Sequence, residues 1–183
     1  MNPLHGFEIN DETFERCPSD FAGECTIPDG IKRIGGWSFY HCAGLTGVHI
    51  PEGVLEIGLR AFSDCRNLKS VVIPDSVTKI EGFAFYACGA IKSVHIPESV
   101  DFIGTEAFAR CSSLAFACIP PACTFDNGTF PPTCEIVGPQ EYRRRLAINL
   151  TADCALDGVE IVGMHVLAAG HPIGAATESR IAR

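Results

Sequence analysis

Apolar positions recur along this chain at a fixed interval of 23 residues, marked by Pro28, Pro51, Pro74, Pro97 and Pro120. Before each proline stands an isoleucine: Ile27, Ile50, Ile73, Ile96 or Ile119. Three residues after it come Ile31, Val54, Val77 and Val100, and then Ile34, Ile57, Ile80 and Ile103. Further columns are Ser38, Ala61, Ala84, Ala107; Phe39, Phe62, Phe85, Phe108; and Cys42, Cys65, Cys88, Cys111, Cys134. Leu45, Leu68, Ile91, Leu114 and Val48, Val71, Val94, Ala117 complete the unit, and the positions between the columns are polar, small or variable. A period of this length marks a stack of supersecondary units, none of which can bury its apolar face alone.

Each stretch of the unit predicts its own conformation. In Leu68-Lys69-Ser70-Val71-Val72-Ile73 the apolar residues alternate with outward positions, the period-two pattern of a short strand. Pro74 ends it, having no N–H for the ladder. Asp75-Ser76, Asp29-Gly30 and Glu52-Gly53 supply turn chemistry, and an extended return follows. The Ala61-Phe62-x-x-Cys65-x-x-Leu68 spacing predicts one or two turns of α- or 3₁₀-helix with one face inward.

The frame Leu-x-x-Val-x-Ile-Pro-x-x-Val-x-x-Ile-Gly-x-x-Ala-Phe-x-x-Cys resembles the BspA-like leucine-rich repeat family, over about residues 20–137. The resemblance implies an α/β repeat: a right-handed leucine-rich-repeat solenoid with one short parallel strand per 23-residue repeat, its sheet on the inner face. It also implies a role in binding other macromolecules, and family members are often surface or secreted proteins. The chain departs from the frame where Glu81 replaces the glycine seen at Gly35, Gly58 and Gly104, and where the pattern degenerates after Pro120-Pro121. Residues 1–20 are expected as a polar leader or cap, with Phe14 and Phe21 reaching Ile34 and Phe39. Residues 21–137 form the array, with four full repeats (27–49, 50–72, 73–95, 96–118) and partial end units. Residues 138–183 are expected as a C-terminal cap or tail, with a helix over Gln140 to Leu150 and a strand-like run over Val159 to Leu167.

Composition narrows the function. A net charge of −8 argues against nucleic acid, whose phosphates need a basic stripe. Arg143-Arg144-Arg145 is too short for a polybasic membrane patch and reads as a solvated helix face. Met1 to Phe21 has no apolar core, so it is not a signal peptide, and no apolar stretch of about 18 residues predicts a membrane span. Read as complete, the chain is soluble and cytoplasmic; read as an excerpt, it belongs to a cell-surface or secreted protein. The sequons at Asn127 and Asn149 carry no weight without a secretion signal. Of ten cysteines, five belong to the repeat column and read as a ladder of reduced, buried thiols. Cys118, Cys123 and Cys134 could pair with one another.

Candidate chemistry is sparse. His49 and His95 stand two repeats apart, too far for one metal ion, and the cysteines lack the tight pairing of a zinc knuckle. The acidic column Asp29, Glu52, Asp75, Glu98 reads as solvated turn residues, without the glycine-and-aspartate calcium repeat of other solenoids. Gly170-His171-Pro172-Ile173-Gly174-Ala175 resembles the C-terminal histidine loop of thiolases, but without a nucleophile and oxyanion partners it has no reaction to run. No phosphate loop, triad or carboxylate pair is present, so the expectation is a non-enzymatic module with no cofactor and no metal. Its binding face is the row of outward strand residues before the prolines, concave in a leucine-rich repeat. The residues expected to meet a protein partner are His49, Lys69, Ser70, Val72, Lys92, Ser93, His95 and Phe116.

Overall fold

A computed structural model describes residues 6–153, 159–162 and 165–168, in two units, Met1–Arg143 and Arg144–Arg183. The first unit is a stack of coils. It opens on an antiparallel hairpin of β1 (Glu8–Asn10) and β2 (Thr13–Arg16). The coils then supply strands in pairs: β3 (Ala22–Thr26) with β4 (Arg33–Ile34), β5 (Gly44–His49) with β6 (Glu56–Ile57), and β7 (Ser70–Val71) with β8 (Lys79–Ile80). β9 (Ser93–His95) with β10 (Phe102–Ile103) and β11 (Phe116–Cys118) with β12 (Thr124–Phe125) continue the series, and β13 (Glu135–Val137) closes it. The helix α1 (Pro139–Asp153) follows after the single residue Gly138, where a helix was expected. The second unit contains a hairpin of β14 (Val159–Val162) and β15 (His165–Ala168), the expected apolar run folded as two antiparallel strands.

Each coil thus carries two strands where one was expected. The strand before each proline forms the sheets β3-β5-β7 and β9-β11-β13, parallel throughout. The stretch read as an extended return forms a continuous seven-stranded sheet, β1-β2-β4-β6-β8-β10-β12. The same period-two logic governs it: Ile34, Ile57, Ile80 and Ile103 point inward while Arg33, Lys79 and Phe102 are exposed. Every apolar column of the four full repeats is buried.

The leader is part of the stack. β2 pairs with β4 so that Phe14 lies opposite Ile34, and the Phe14 ring stacks on Phe39 at 4.8 Å. Phe21 is half-buried against Phe7, 5.5 Å away. The phenylalanine column continues as Phe39–Phe62 at 4.7 Å, Phe62–Phe85 at 5.1 Å and Phe85–Phe108 at 5.0 Å. Phe130 ends it 5.2 Å from Phe108. Each such pair is worth about 0.5–1.5 kcal/mol beyond the area it buries.

The Ala-Phe-x-x-Cys stretch is not helical. It is a run of turns in which the Ser63 N–H bonds the Arg60 carbonyl, Cys65 bonds Phe62 and Leu68 bonds Cys65. Left-handed residues at Arg60 (φ 55°) and Asp64 (φ 62°) interrupt any right-handed helical path. The Phe62 N–H is therefore directed to Ala84 of the next coil, at 2.7 Å. The pattern repeats at Trp37 and His41, Phe83 and Ala87, and Glu106 and Arg110, all with positive φ. A side chain in this region costs roughly 1–2 kcal/mol, yet no glycine occupies it in these turns.

Coils approach closely elsewhere. A Cβ on Gly104 would lie 2.4 Å from the Gly82 nitrogen, so this column calls for glycine because of packing. Glu81, which departs from it, turns its carboxylate to the Leu59 N–H (2.7 Å) and to Lys79 (2.9 Å). Lys79 also meets Glu56 at 3.3 Å, and Arg33 meets Glu56 at 3.5 Å, making an ionic row along the seven-stranded sheet.

Candidate interaction surface

The strands before the prolines bury alternate residues and leave the others outward. Cys25, Val48, Val71, Val94 and Ala117 face the core. Outward, Glu24 aligns with Gly47 and Ser70, Thr26 with His49, and Ser93 with Phe116. The ladder between β7 and β9 is broken, so the face consists of two sheets rather than one.

Two parts of this face differ in access. His49, Lys69, Ser70 and Val72 are exposed, and Val72 presents an aliphatic side chain with 43% of its surface open. Lys92 is also exposed and Ser93 half-buried. Toward the C-terminal end, Tyr142 of the first turn of α1 lies over the strands. Its ring is 5.5 Å from His95 and 5.4 Å from Phe116, edge-on to the latter. Burial raises the Tyr142 phenol above its ordinary range, and a hydrogen bond with Ser93 offsets part of that rise. Phe116, expected among the open partner-binding residues, is buried, and so is the neighbouring Cys118. Tyr142 packs edge-on against Phe116 and lies near Cys118. His95 keeps an exposed portion. The sequence placed a helix here but held no signal for what its tyrosine would cover.

The remaining candidates give no site. Asp29, Glu52, Asp75 and Glu98 are exposed turn residues. Among the described residues no group of three or more His, Cys, Asp or Glu is placed to hold a metal ion. Cys118, Cys123 and Cys134 are free, as are Cys42, Cys65, Cys88 and Cys111 of the column. Burial pushes the Cys65 and Cys88 thiols well above their ordinary range and Cys111 up to about 12, so they are poor nucleophiles. The thiolase-like segment 170–175 lies outside the described residues. Among the described residues no helix is long and apolar enough to cross a membrane.

The family model described as BspA type leucine rich repeat region matches residues 7–136, in six copies. Among solved structures, the chain is similar to a leucine-rich repeat protein from Bacteroides ovatus, with 37% identity and a TM-score of 0.58. That match covers 62% of this chain and 30% of the other. A leucine rich cell surface protein from Faecalibacterium prausnitzii is 30% identical, with a TM-score of 0.63, over 75% of this chain and 39% of that one. The pneumococcal vaccine antigen PcpA shares the fold at 23% identity and a TM-score of 0.62, over 69% of this chain and 31% of its own. The chain spans about a third of the length of these proteins. No curated protein sequence matches it.

Proposed function

We propose that this chain, which belongs to the BspA-type leucine-rich repeat family, is a non-enzymatic module that binds a protein partner through the strand face ahead of its prolines. The observation that carries the reading is the open strip of His49, Lys69, Ser70 and Val72, with Lys92 beside it. Val72, just past β7, is an exposed β-branched side chain between Lys69 and Lys92, and its stiff χ1 loses little freedom when a partner docks. Ser93, His95 and Phe116 belong to the same face, but Tyr142 already engages them, so the strip open to a partner ends near Val72 and Lys92.

A photo-crosslinking residue at position 72, compared with one at the solvated turn position 75, tests the assignment. The partner captured from position 72 is then purified and its affinity measured. Val72→Glu should raise its dissociation constant at least tenfold and leave thermal unfolding within about a degree of wild type. Equal capture from both positions, or unchanged affinity, removes the strand face from consideration.

A second reading, a surface-adhesion segment of a longer secreted protein, is supported by the likeness to a cell surface protein over 39% of that protein's length. Labelling intact cells with a membrane-impermeant amine reagent tests it: the protein is labelled before lysis if the reading holds.

A further inference from the structure

The turn edge of the solenoid, away from the strands just described, carries a second cluster. At the left-handed position of successive coils stand Trp37, Arg60 and Phe83. The Arg60 guanidinium lies between the two rings, 5.0 Å from the Trp37 centroid and 4.3 Å from that of Phe83. Trp37 meets Tyr40 edge-on at 4.8 Å, and Phe83 meets Tyr86 at 5.6 Å. Trp37 remains 47% exposed. Beside this row Leu59 is 43% exposed, because the coils on either side hold Gly36 and Gly82 at the corresponding position. The edge therefore offers an exposed aliphatic side chain next to a cation clamped between aromatic rings.

The charge of Arg60 is unmatched. Arg33 and Lys79, on the seven-stranded sheet, meet Glu56 and Glu81 at 2.9–3.9 Å. No described carboxylate lies within that reach of Arg60. Arg110 repeats the arrangement, its guanidinium 5.5 Å from the Tyr86 ring centroid and likewise without a carboxylate among the described residues. Both arginines are held by rings rather than by acids, in a chain of net charge −8. A guanidinium stacked on rings keeps its N–H edge directed outward, and its rotamer is fixed before any partner arrives. Trp37 is exposed and Tyr40, Arg60 and Tyr86 are half-buried, and Trp, Tyr and Arg are the residue types that dominate binding energy at protein interfaces. The ring faces nearest Arg60 are occupied by its guanidinium, so they are not open for stacking on a sugar.

We infer that Trp37, Leu59, Arg60 and Phe83 form a second docking surface, for a protein segment that presents a carboxylate next to an aliphatic or aromatic side chain. The carboxylate pairs with Arg60 and the apolar side chain packs on the exposed Leu59 and Trp37. This surface is independent of the strand face, and Val72 takes no part in it.

The test uses the intact protein and an array of twelve-residue peptides, each placing Glu or Asp beside Leu or Phe, with Gln or Asn versions of every member. An array of neutral and acidic oligosaccharides runs in parallel. Carboxylate peptides should bind at least tenfold better than their amides. Arg60→Gln should abolish that preference, Arg60→Lys should retain part of it, and Val72→Glu should leave it intact. Leu59→Ser, at an exposed position, should weaken binding while the fold stays unchanged by circular dichroism, which keeps the test decisive if Arg60→Gln unfolds. Absence of a carboxylate preference, or wild-type binding by both the Arg60→Gln and Leu59→Ser variants, overturns the inference. So does binding confined to oligosaccharides, or a concentration-dependent dimer lost in Arg60→Gln, which would assign the edge to a second copy of this chain.

Discussion

The Cys88 thiol donates to the carbonyl oxygen of Phe62, 3.1 Å away in the preceding coil, and the same bond joins Cys65 to Phe39 and Cys111 to Phe85. The Phe62 carbonyl also accepts from the Cys65 amide, so the thiol meets a second lone pair that burial would otherwise leave empty. The residue must be small, tolerant of an apolar core and still able to donate, and cysteine meets all three requirements. Cys88→Ala should therefore lower stability by about 1–2 kcal/mol, from a small void plus an under-satisfied carbonyl. Urea midpoints of the two proteins measure it, and a shift within error would reduce the bond to mere proximity.

The same burial sets an alkaline limit. Folded-state values for Cys65, Cys88 and Cys111 lie above the ordinary value of 9.0, Cys111 at about 12. The stability tied to these thiols is complete below pH 9, where both states keep the proton. It declines as pH rises from 9 toward 12, because the unfolded chain ionises while the native one does not. The denaturant midpoint should fall across this interval. At pH 8 an aromatic disulfide reagent should react with these three thiols only as fast as the protein opens, and rapid stoichiometric labelling of native protein would contradict this.

Ser38 breaks the small-residue column that continues as Ala61, Ala84 and Ala107, and its buried hydroxyl has no hydrogen-bond partner. Ser38→Ala removes an unsatisfied polar group and restores the residue that the next three coils use. Stabilisation by about 1 kcal/mol is expected, read as a higher melting temperature. A decrease would mean that the hydroxyl has found a partner, such as a buried water.

Glu81 governs the acid limb. Burial alone would raise its carboxyl, but Lys79, Glu56 and the Leu59 N–H together bring it below the ordinary value of 4.5. The stability it contributes is present above pH 4.5 and is lost as pH falls through the lower folded-state value, because the unfolded chain takes up the proton first. Glu81→Gln should therefore melt at a lower temperature near neutral pH and show a shallower loss on acidification. Parallel acid limbs in the two proteins would remove Glu81 from this role.

How far the residues alone reached depends on what each feature is made of. The apolar columns were legible because burial in a stack demands the same side chain at the same step, and Phe39, Phe62, Phe85 and Phe108 keep that step without exception. Phe130 joins the same ring stack but stands 22 residues from Phe108, so a strict count of 23 passes over it. The second strand of each coil reads in the sequence only as an extended return, because two residues, such as Glu56-Ile57, are too few to show an alternation. The helical reading of Ala61 to Leu68 failed because inward spacing of three and four is shared by a helix and by a chain of turns. Only the left-handed backbone at Arg60 and Asp64, which leaves no mark in residue type, separates the two. The surface was legible as far as period two carries. His49, Ser70 and Val72 point outward as expected, whereas Phe116 is removed from the face by Tyr142, which belongs to no repeat. The Trp37–Arg60–Phe83 cluster leaves no periodic mark in the sequence, because its column changes chemistry at every coil.

Among the described residues, side-chain hydrogen bonds such as those of Cys88 to Phe62 and Leu59 to Glu81 join one coil to the next across 21 to 26 positions. Each coil therefore depends chiefly on its immediate neighbours, and contacts such as Arg33 with Glu81 and Tyr142 with His95 reach farther. Such a protein can change length without being redesigned: duplication or loss of one complete unit by recombination joins the same kind of surface to the same kind of surface. Natural variation in this lineage is then expected to arrive in whole rungs, while a slip of one or two residues within a rung would misalign every column beyond it.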